Sequence, residues 1–133
     1  MASITVWLFV ESKSLTPDQM AEQIGLPFDK SWRIGEARGG TGKVFSTNSW
    51  KIESRLELDE NPIMLGLKIQ SCLDEVLGRA RDHADRFRGL ALSQESGLYI
   101  GISANEAPAL NLKAEAISAI SRLGVDLEID LML

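Results

Sequence analysis

The chain is short of the residues that most often carry chemistry: of its 133 residues, one is cysteine, one histidine and one tyrosine. A lone cysteine, Cys72, cannot build a disulfide framework and suits a reducing compartment. A lone histidine, His83, leaves no second imidazole or thiolate for a transition-metal site, so no metal and no cofactor is expected. Long hydrophobic runs are missing too. The apolar stretch near the start, Ile4 to Val10, is about seven residues, and no basic region precedes it; this is too short for a signal peptide or a membrane span. A soluble, cytoplasmic protein with no membrane partner is the expectation. Net basic charge is also lacking. A formal charge of −5 opposes nucleic-acid binding, which needs cations along the phosphates.

What is present fits one globular domain spanning residues 1–133, with 44% hydrophobic and 25% charged residues. The charge is uneven. Lys30 to Arg55 holds six basic and two acidic residues, a segment of +4 that leaves −9 for the rest. Within it, Ser31 to Trp50 concentrates two of the three tryptophans, four glycines and the cations Arg33, Arg38 and Lys43. Such a segment attracts an anionic small molecule or an acidic protein patch. The plainer reading is a basic hairpin balanced by acids elsewhere.

Periodicity supplies the elements. Ile4 to Val10 reads as a strand, apolar on both faces and therefore central or facing a partner. Thr16, Pro17 and Gln19 form a capping box for a short helix that Gly25 stops. Trp32 to Ile34 suggests a short strand. From about Val44 the chain alternates, with Trp50, Ile52, Ser54 and Leu56 on one face and Lys51, Glu53 and Arg55 on the other; Trp50 is expected in the core. Gly39, Gly40 and Gly42 form the mobile tip between these strands. Asp59-Glu60-Asn61-Pro62 opens the longest helix, with Asn61 as cap, running to about Phe87; Gly66 and Gly78 within it suggest close packing. Leu90 to Gln94 and Leu98 to Ala104 read as a hairpin turning at Glu95-Ser96-Gly97. Asn111 is expected to cap a third helix closed by Gly124, and Val125 to Leu133 alternates as a last strand. The order β-α-β-β-α-β-β-α-β predicts an α+β fold: a mainly antiparallel sheet with helices on one face, related to the ferredoxin-like folds. A faint echo between Ile4–Gly25 and Leu98–Gly124, each strand, loop and capped helix, is compatible with an old duplication.

Candidate chemistry is thin. Ala37 to Val44, A-R-G-G-T-G-K-V, misses a phosphate-binding P-loop at Ala37 (glycine required), at Val44 (Ser or Thr required), and in being followed by a strand rather than a helix. A looser anion nest from glycine N–H groups with Arg38 and Lys43 remains open beside an ordinary hairpin. His83 sits in a charged run where Asp82–Arg86 pairing at i,i+4 is expected. Cys72 lies on an apolar helix face about three turns from His83, so the two cannot form a nucleophile–base pair. Asp126, Glu128 and Asp130 line one strand face; pairing with Lys51 and Arg55 of a neighbouring strand, or plain solvation, is preferred to metal binding. Trp7, Phe9 and Tyr99, if they share the face away from the helices, form an aromatic patch suited to a partner or to self-association.

S-W-R-I-G-E, a glycine-rich gap and S-W-K-I-E-S, together with L-T-P-D-Q-M-A-E-Q-I-G-L and L-G-V-D-L-E-I-D, resemble the bacterial domain-of-unknown-function 4279 family over nearly the whole chain. The resemblance implies a small cytoplasmic α+β bacterial domain and brings no catalytic residues. The expected function is a non-catalytic binding or interaction domain, possible as a homodimer, acting through a protein partner in the manner of an immunity protein or regulator. Its contact face is Trp7, Phe9 and Tyr99. The competing expectation is an anionic-ligand site or enzyme at Arg33, Arg38 and Lys43.

Overall fold

The computed structural model describes residues 1–59 and 61–133. Five strands form one sheet: β1 (Ala2–Ser12), β2 (Lys30–Trp32), β3 (Asn48–Leu58), β4 (Glu95–Ser103) and β5 (Leu127–Met132). The helices are α1 (Pro17–Ile24), α2 (Pro62–Ala80), α3 (Ala84–Ala91), which follows a 3-10 turn at Arg81–His83, and α4 (Ala114–Leu123). The sheet order is β2-β3-β1-β4-β5, antiparallel except for the parallel β4–β5 pair. The first four strands therefore follow the spatial order of a ferredoxin-like β-α-β-β-α-β unit, and β5 adds a parallel edge. The class is α+β.

One face of the sheet makes the core. Ile4, Val6, Leu8 and Val10 of β1 meet Ile52 and Trp50 of β3 and Leu98, Ile100 and Ile102 of β4, and all pack into one cluster with Leu65, Ile69, Leu73 and Val76 of α2. Cys72 is part of that cluster. Trp50 is fully buried, and its Nε1 donates to the Leu26 carbonyl at 3.0 Å, so the indole satisfies its one polar atom there.

Local chemistry explains most element ends. Thr16 accepts from the Gln19 amide while Gln19 Oε1 accepts from the Thr16 amide, closing the expected capping box, and Gly25 ends α1 at φ 81°. Asn61 Oδ1 accepts from the amides of Ile63 and Met64 at 3.1 and 3.2 Å, so the predicted cap of α2 holds. Glu60, one of the acids expected beside it, lies outside the described residues. Gly66 is needed for close approach, because a Cβ there would lie 2.7 Å from the Ala109 carbonyl oxygen. Gly78 has nothing within 4 Å, so the close packing expected at that point is absent.

Three expectations are corrected. Leu90 to Gln94 is not a strand: α3 runs into it as far as Ala91 and a turn follows, with Ala84, Phe87 and Leu90 buried at helical spacing and Leu92 78% exposed. A strand would have put Leu90 and Leu92 on the same side. The cap of α4 is Lys113 rather than Asn111, with no side-chain hydrogen bond. The Asp82–Arg86 pair does not form; Arg86 Nη2 donates instead to the Glu22 carbonyl at 2.6 Å, tying α3 to α1.

Candidate functional site

The face of the sheet turned away from α2 is built from the odd positions of β1 and their cross-strand partners. Trp7 lies opposite Tyr99, Phe9 opposite Gly97 and Lys51, and Glu11 opposite Glu95 and Ser49. Glycine makes room for rings. Cβ atoms added at Gly97 and Gly101 would lie 2.9 Å from the Phe9 ring and 2.8 Å from Tyr99, so both rings spread flat over bare backbone. The three aromatics expected to share a face therefore do so, each half-buried.

Two stacked pairs stand on this surface. Trp7 and Tyr99 lie 4.5 Å apart between centroids, and Trp32 of β2 stacks on Phe45 at 4.4 Å. Phe45 belongs to a hairpin arm, residues 33–47, held by Gly35 N to Phe45 O, Phe45 N to Glu36 O and Arg38 N to Lys43 O, at 2.9 Å each. Asn48 anchors its base, accepting from the Ile34 amide and donating to the Leu15 carbonyl, both at 2.9 Å. Between the stacked pairs sits Lys51. Its Nζ lies 3.9 Å from the Trp7 ring centroid and 4.9 Å from that of Trp32.

Lys51 is the residue that sequence reasoning missed. It is 8% exposed, while the other five lysines are all exposed. Among the described residues no carboxylate lies within ion-pair distance of it. Burial holds its amine below the usual lysine range, with Lys30 and Arg55 adding repulsion and Glu53 and Glu11 opposing. Glu11 is desolvated as well; burial first, and then Glu95, raise its carboxyl above the usual range against a Thr47 hydrogen bond and the cations Lys51 and Arg38. Nearby, Trp32 Nε1 and the fully buried Ser49 Oγ have no hydrogen-bond partner among the described residues. Buried polar atoms are paired in the great majority of cases, so this concentration marks the spot.

Of the three predicted cations, Arg38 and Lys43 are neighbours across the arm, while Arg33 is drawn to α1. Arg33 Nη2 bonds Asp18 at 3.2 Å, at the start of α1. Arg38 lies over Phe45 at 5.4 Å, and Lys43 is exposed on the returning limb of the arm. The turn uses its own donors: the Thr41 amide bonds the Arg38 carbonyl at 3.3 Å, and the Lys43 amide bonds Thr41 Oγ1 at 3.2 Å. The carboxylates of β5 are likewise not paired with Lys51 and Arg55, because β1 and β4 separate β5 from β3. Asp130 instead accepts from the Tyr99 hydroxyl at 3.0 Å, and Asp126, Glu128 and Asp130 are all exposed. Among the described residues, no group of three or more His, Cys, Asp or Glu side chains could hold a metal ion, and no helix is long and apolar enough to cross a membrane.

A solvent-open groove of about 650 Å³ runs between α2 and α4 over Leu77, Gly78, Ala119 and Leu123, with Arg81, Arg122, Asp74 and Glu115 around it. It is lined by small side chains and by charges of both signs, and none of the unpaired buried polar atoms of Trp32 and Ser49 reaches it.

Fold and surface together define a small α+β domain with an apolar inner sheet face and an aromatic, charged outer one. The chain belongs to the family described as Domain of unknown function (DUF4279), whose family model matches residues 2–133. No curated protein and no solved structure matches it.

Proposed function

We propose that this chain is a non-catalytic interaction domain of the bacterial cytoplasm that works through protein–protein contact at its outer sheet face, and that a second copy of the chain is the partner this face fits. The observation that carries the reading is how aromatics and charges are arranged there. Trp7, Phe9 and Tyr99 occupy the middle strands, half-buried and flat. Lys30, Lys51 and Arg55 lie to the β2–β3 side, with Arg38 over Phe45 on the adjoining arm; Glu53, paired to Lys30 at 3.0 Å, and Glu57 reduce that side's positive excess without cancelling it, while Glu95, Glu128 and Asp130 lie to the β4–β5 side. A two-fold axis running along β1 lays the cationic side of one copy over the anionic side of the other and brings the two aromatic centres together. Such an interface is self-complementary. Sheets stacked in this way sit about 10 Å apart, a gap that side chains of this size fill.

Neutralising or regulating a different protein, as an immunity protein does, is the broader form of the same proposal and would use the same face. Size-exclusion chromatography with light scattering tests it. Dimer mass for the wild type and monomer mass for Trp7→Ser/Phe9→Ser, with circular dichroism unchanged, supports the reading; monomer mass for the wild type at high concentration opposes it.

The competing reading, a small-molecule site, keeps one specific observation in its favour: near Lys51, Trp32 Nε1 and Ser49 Oγ are buried without a hydrogen-bond partner among the described residues. It adds Lys51 to the candidate ligand residues Arg33, Arg38 and Lys43.

A further inference from the structure

We propose that the open edge of β5 docks an extended segment of another protein, one that alternates lysine or arginine with aliphatic residues and joins the sheet as a further strand. This surface is distinct from the outer-face contact. An added strand lies in the plane of the sheet, so stacking two outer faces leaves the edge open; the two surfaces share only the carboxylates of Glu128 and Asp130.

β5 is hydrogen-bonded along one side only, to β4. The Leu98 amide donates to the Asp126 carbonyl at 2.9 Å, and the Ala104 amide to that of Met132 at 3.1 Å. In a parallel ladder this sets the parity: Glu128 and Asp130 turn their backbone groups to β4, while Leu127, Ile129 and Leu131 turn theirs to the open side. Proteins blunt such edges with short strands, lysine, proline or a bulge. The opposite edge is blunted in this way, since β2 has three residues and begins at Lys30. β5 has six residues, no lysine or proline, and an unbroken register from Leu127 to Met132.

Its side chains define what fits. On the inner face Leu98, Ile100 and Ile102 of β4 are fully buried, yet Ile129 and Leu131, in register beside Ile100 and Ile102, are 41% and 42% exposed. The helices pack chiefly on β1, on β3 and on one another, so the apolar layer ends at β5 with one flank in water. One more strand, at the usual spacing of about 4.8 Å, covers that flank if its inward side chains are aliphatic. On the outer face Asp126, Glu128 and Asp130 are exposed, and among the described residues none of them has an ion pair. Lysine or arginine on the outward positions of the added strand supplies the opposite charge.

The same carboxylates disfavour a second copy of β5 as the occupant. Two such edges pair antiparallel only with their odd-numbered residues opposed. Every well-overlapped register then sets acid against acid, Glu128 against Asp130 in the one centred on Ile129.

The test follows backbone amide exchange by NMR in the full chain, at a concentration where light scattering gives monomer, with a heptapeptide of alternating valine and lysine. In the free protein Leu127, Ile129 and Leu131 should exchange faster than Glu128 and Asp130, whose amides face β4. Saturating peptide is expected to slow those three amides several-fold and leave β1 unchanged, and the same peptide with glutamate for lysine should not protect them. Ile129→Pro removes an outward N–H and no bond to β4, so it should abolish the protection with circular dichroism unchanged; Glu128→Lys should weaken peptide binding. No protection of the three amides in the wild type, or equal protection by the glutamate peptide, overturns the proposal. So does protection that rises with protein concentration in the absence of peptide, which would make a second copy the occupant. A wild type that never dimerises through its outer face leaves all of these readouts intact.

Discussion

The two faces of the sheet use tryptophan in opposite ways. On the inner face Trp50 is fully buried and its indole nitrogen is paired with the Leu26 carbonyl. On the outer face Trp32, paired with Ser49 on the same two strands, stacks on an arm residue and leaves its buried indole nitrogen unpaired. The same contrast holds for polar neighbours. Ser54, facing inward, donates to Glu75 at 2.8 Å, whereas Ser49, facing outward, is fully buried without a partner. Unpaired buried polar atoms cost about 1–3 kcal/mol each; among the described residues two of the three, Trp32 Nε1 and Ser49 Oγ, lie on the outer face and the third is Gln70 Oε1 of α2. The outer face carries most of that cost, which is why function is placed there.

The contrast can be broken first at its stable side. Trp50→Ala should lose about 3–5 kcal/mol, the range for deleting a large buried aromatic, read as a shift in urea midpoint with unchanged slope. Gly66→Ala should cost about 1–3 kcal/mol through overpacking against the Ala109 carbonyl. Its control is Gly78→Ala, where a methyl meets nothing and helix propensity should instead gain about 1 kcal/mol. On the outer face, Trp7→Ala removes the Tyr99 stack and the Lys51 contact, for about 1–2 kcal/mol in the monomer. A loss as large as that of Trp50→Ala would erase the distinction between the faces.

The smallest effect is a titration. Asp29 accepts both guanidinium nitrogens of Arg79, at 2.6 and 2.9 Å, and that bond holds its carboxyl below the usual aspartate range. A depressed folded-state pKa gives stability that is present above the unfolded value, about 3.9, and lost as pH falls through the lower folded value. Asp29→Asn should therefore flatten the acid limb of the stability–pH curve slightly and leave neutral pH little changed, since the pair is partly exposed.

These contrasts were unevenly legible in the sequence. Alternation in β3 placed Trp50 inward; in β1 it put Trp7 and Phe9 on one face and Ile4, Val6, Leu8 and Val10 on the other, but with both faces apolar it left open which one turns outward. The capping box at Thr16 and the cap at Asn61 were readable for the same local reason. Strand order was not. Lys51 and Arg55 looked like partners for Asp126, Glu128 and Asp130, yet the sheet puts two strands, β1 and β4, between β3 and β5 and puts Lys51 between Trp7 and Trp32. Nothing local announces a contact made through strands so distant in sequence. Leu90 misled for a related reason: a short apolar run fits either element, and α3 wins because Phe87 and Leu90 reach the core together.

The central claim, that the outer face is a self-complementary contact surface, is tested most directly by light-scattering mass across a concentration series for the wild type and Trp7→Ser/Phe9→Ser. A wild type that moves from monomer to dimer mass, with the double variant monomeric throughout and equally folded, is the predicted result. A wild type that stays monomeric at the highest concentration, or a double variant that dimerises equally well, contradicts it.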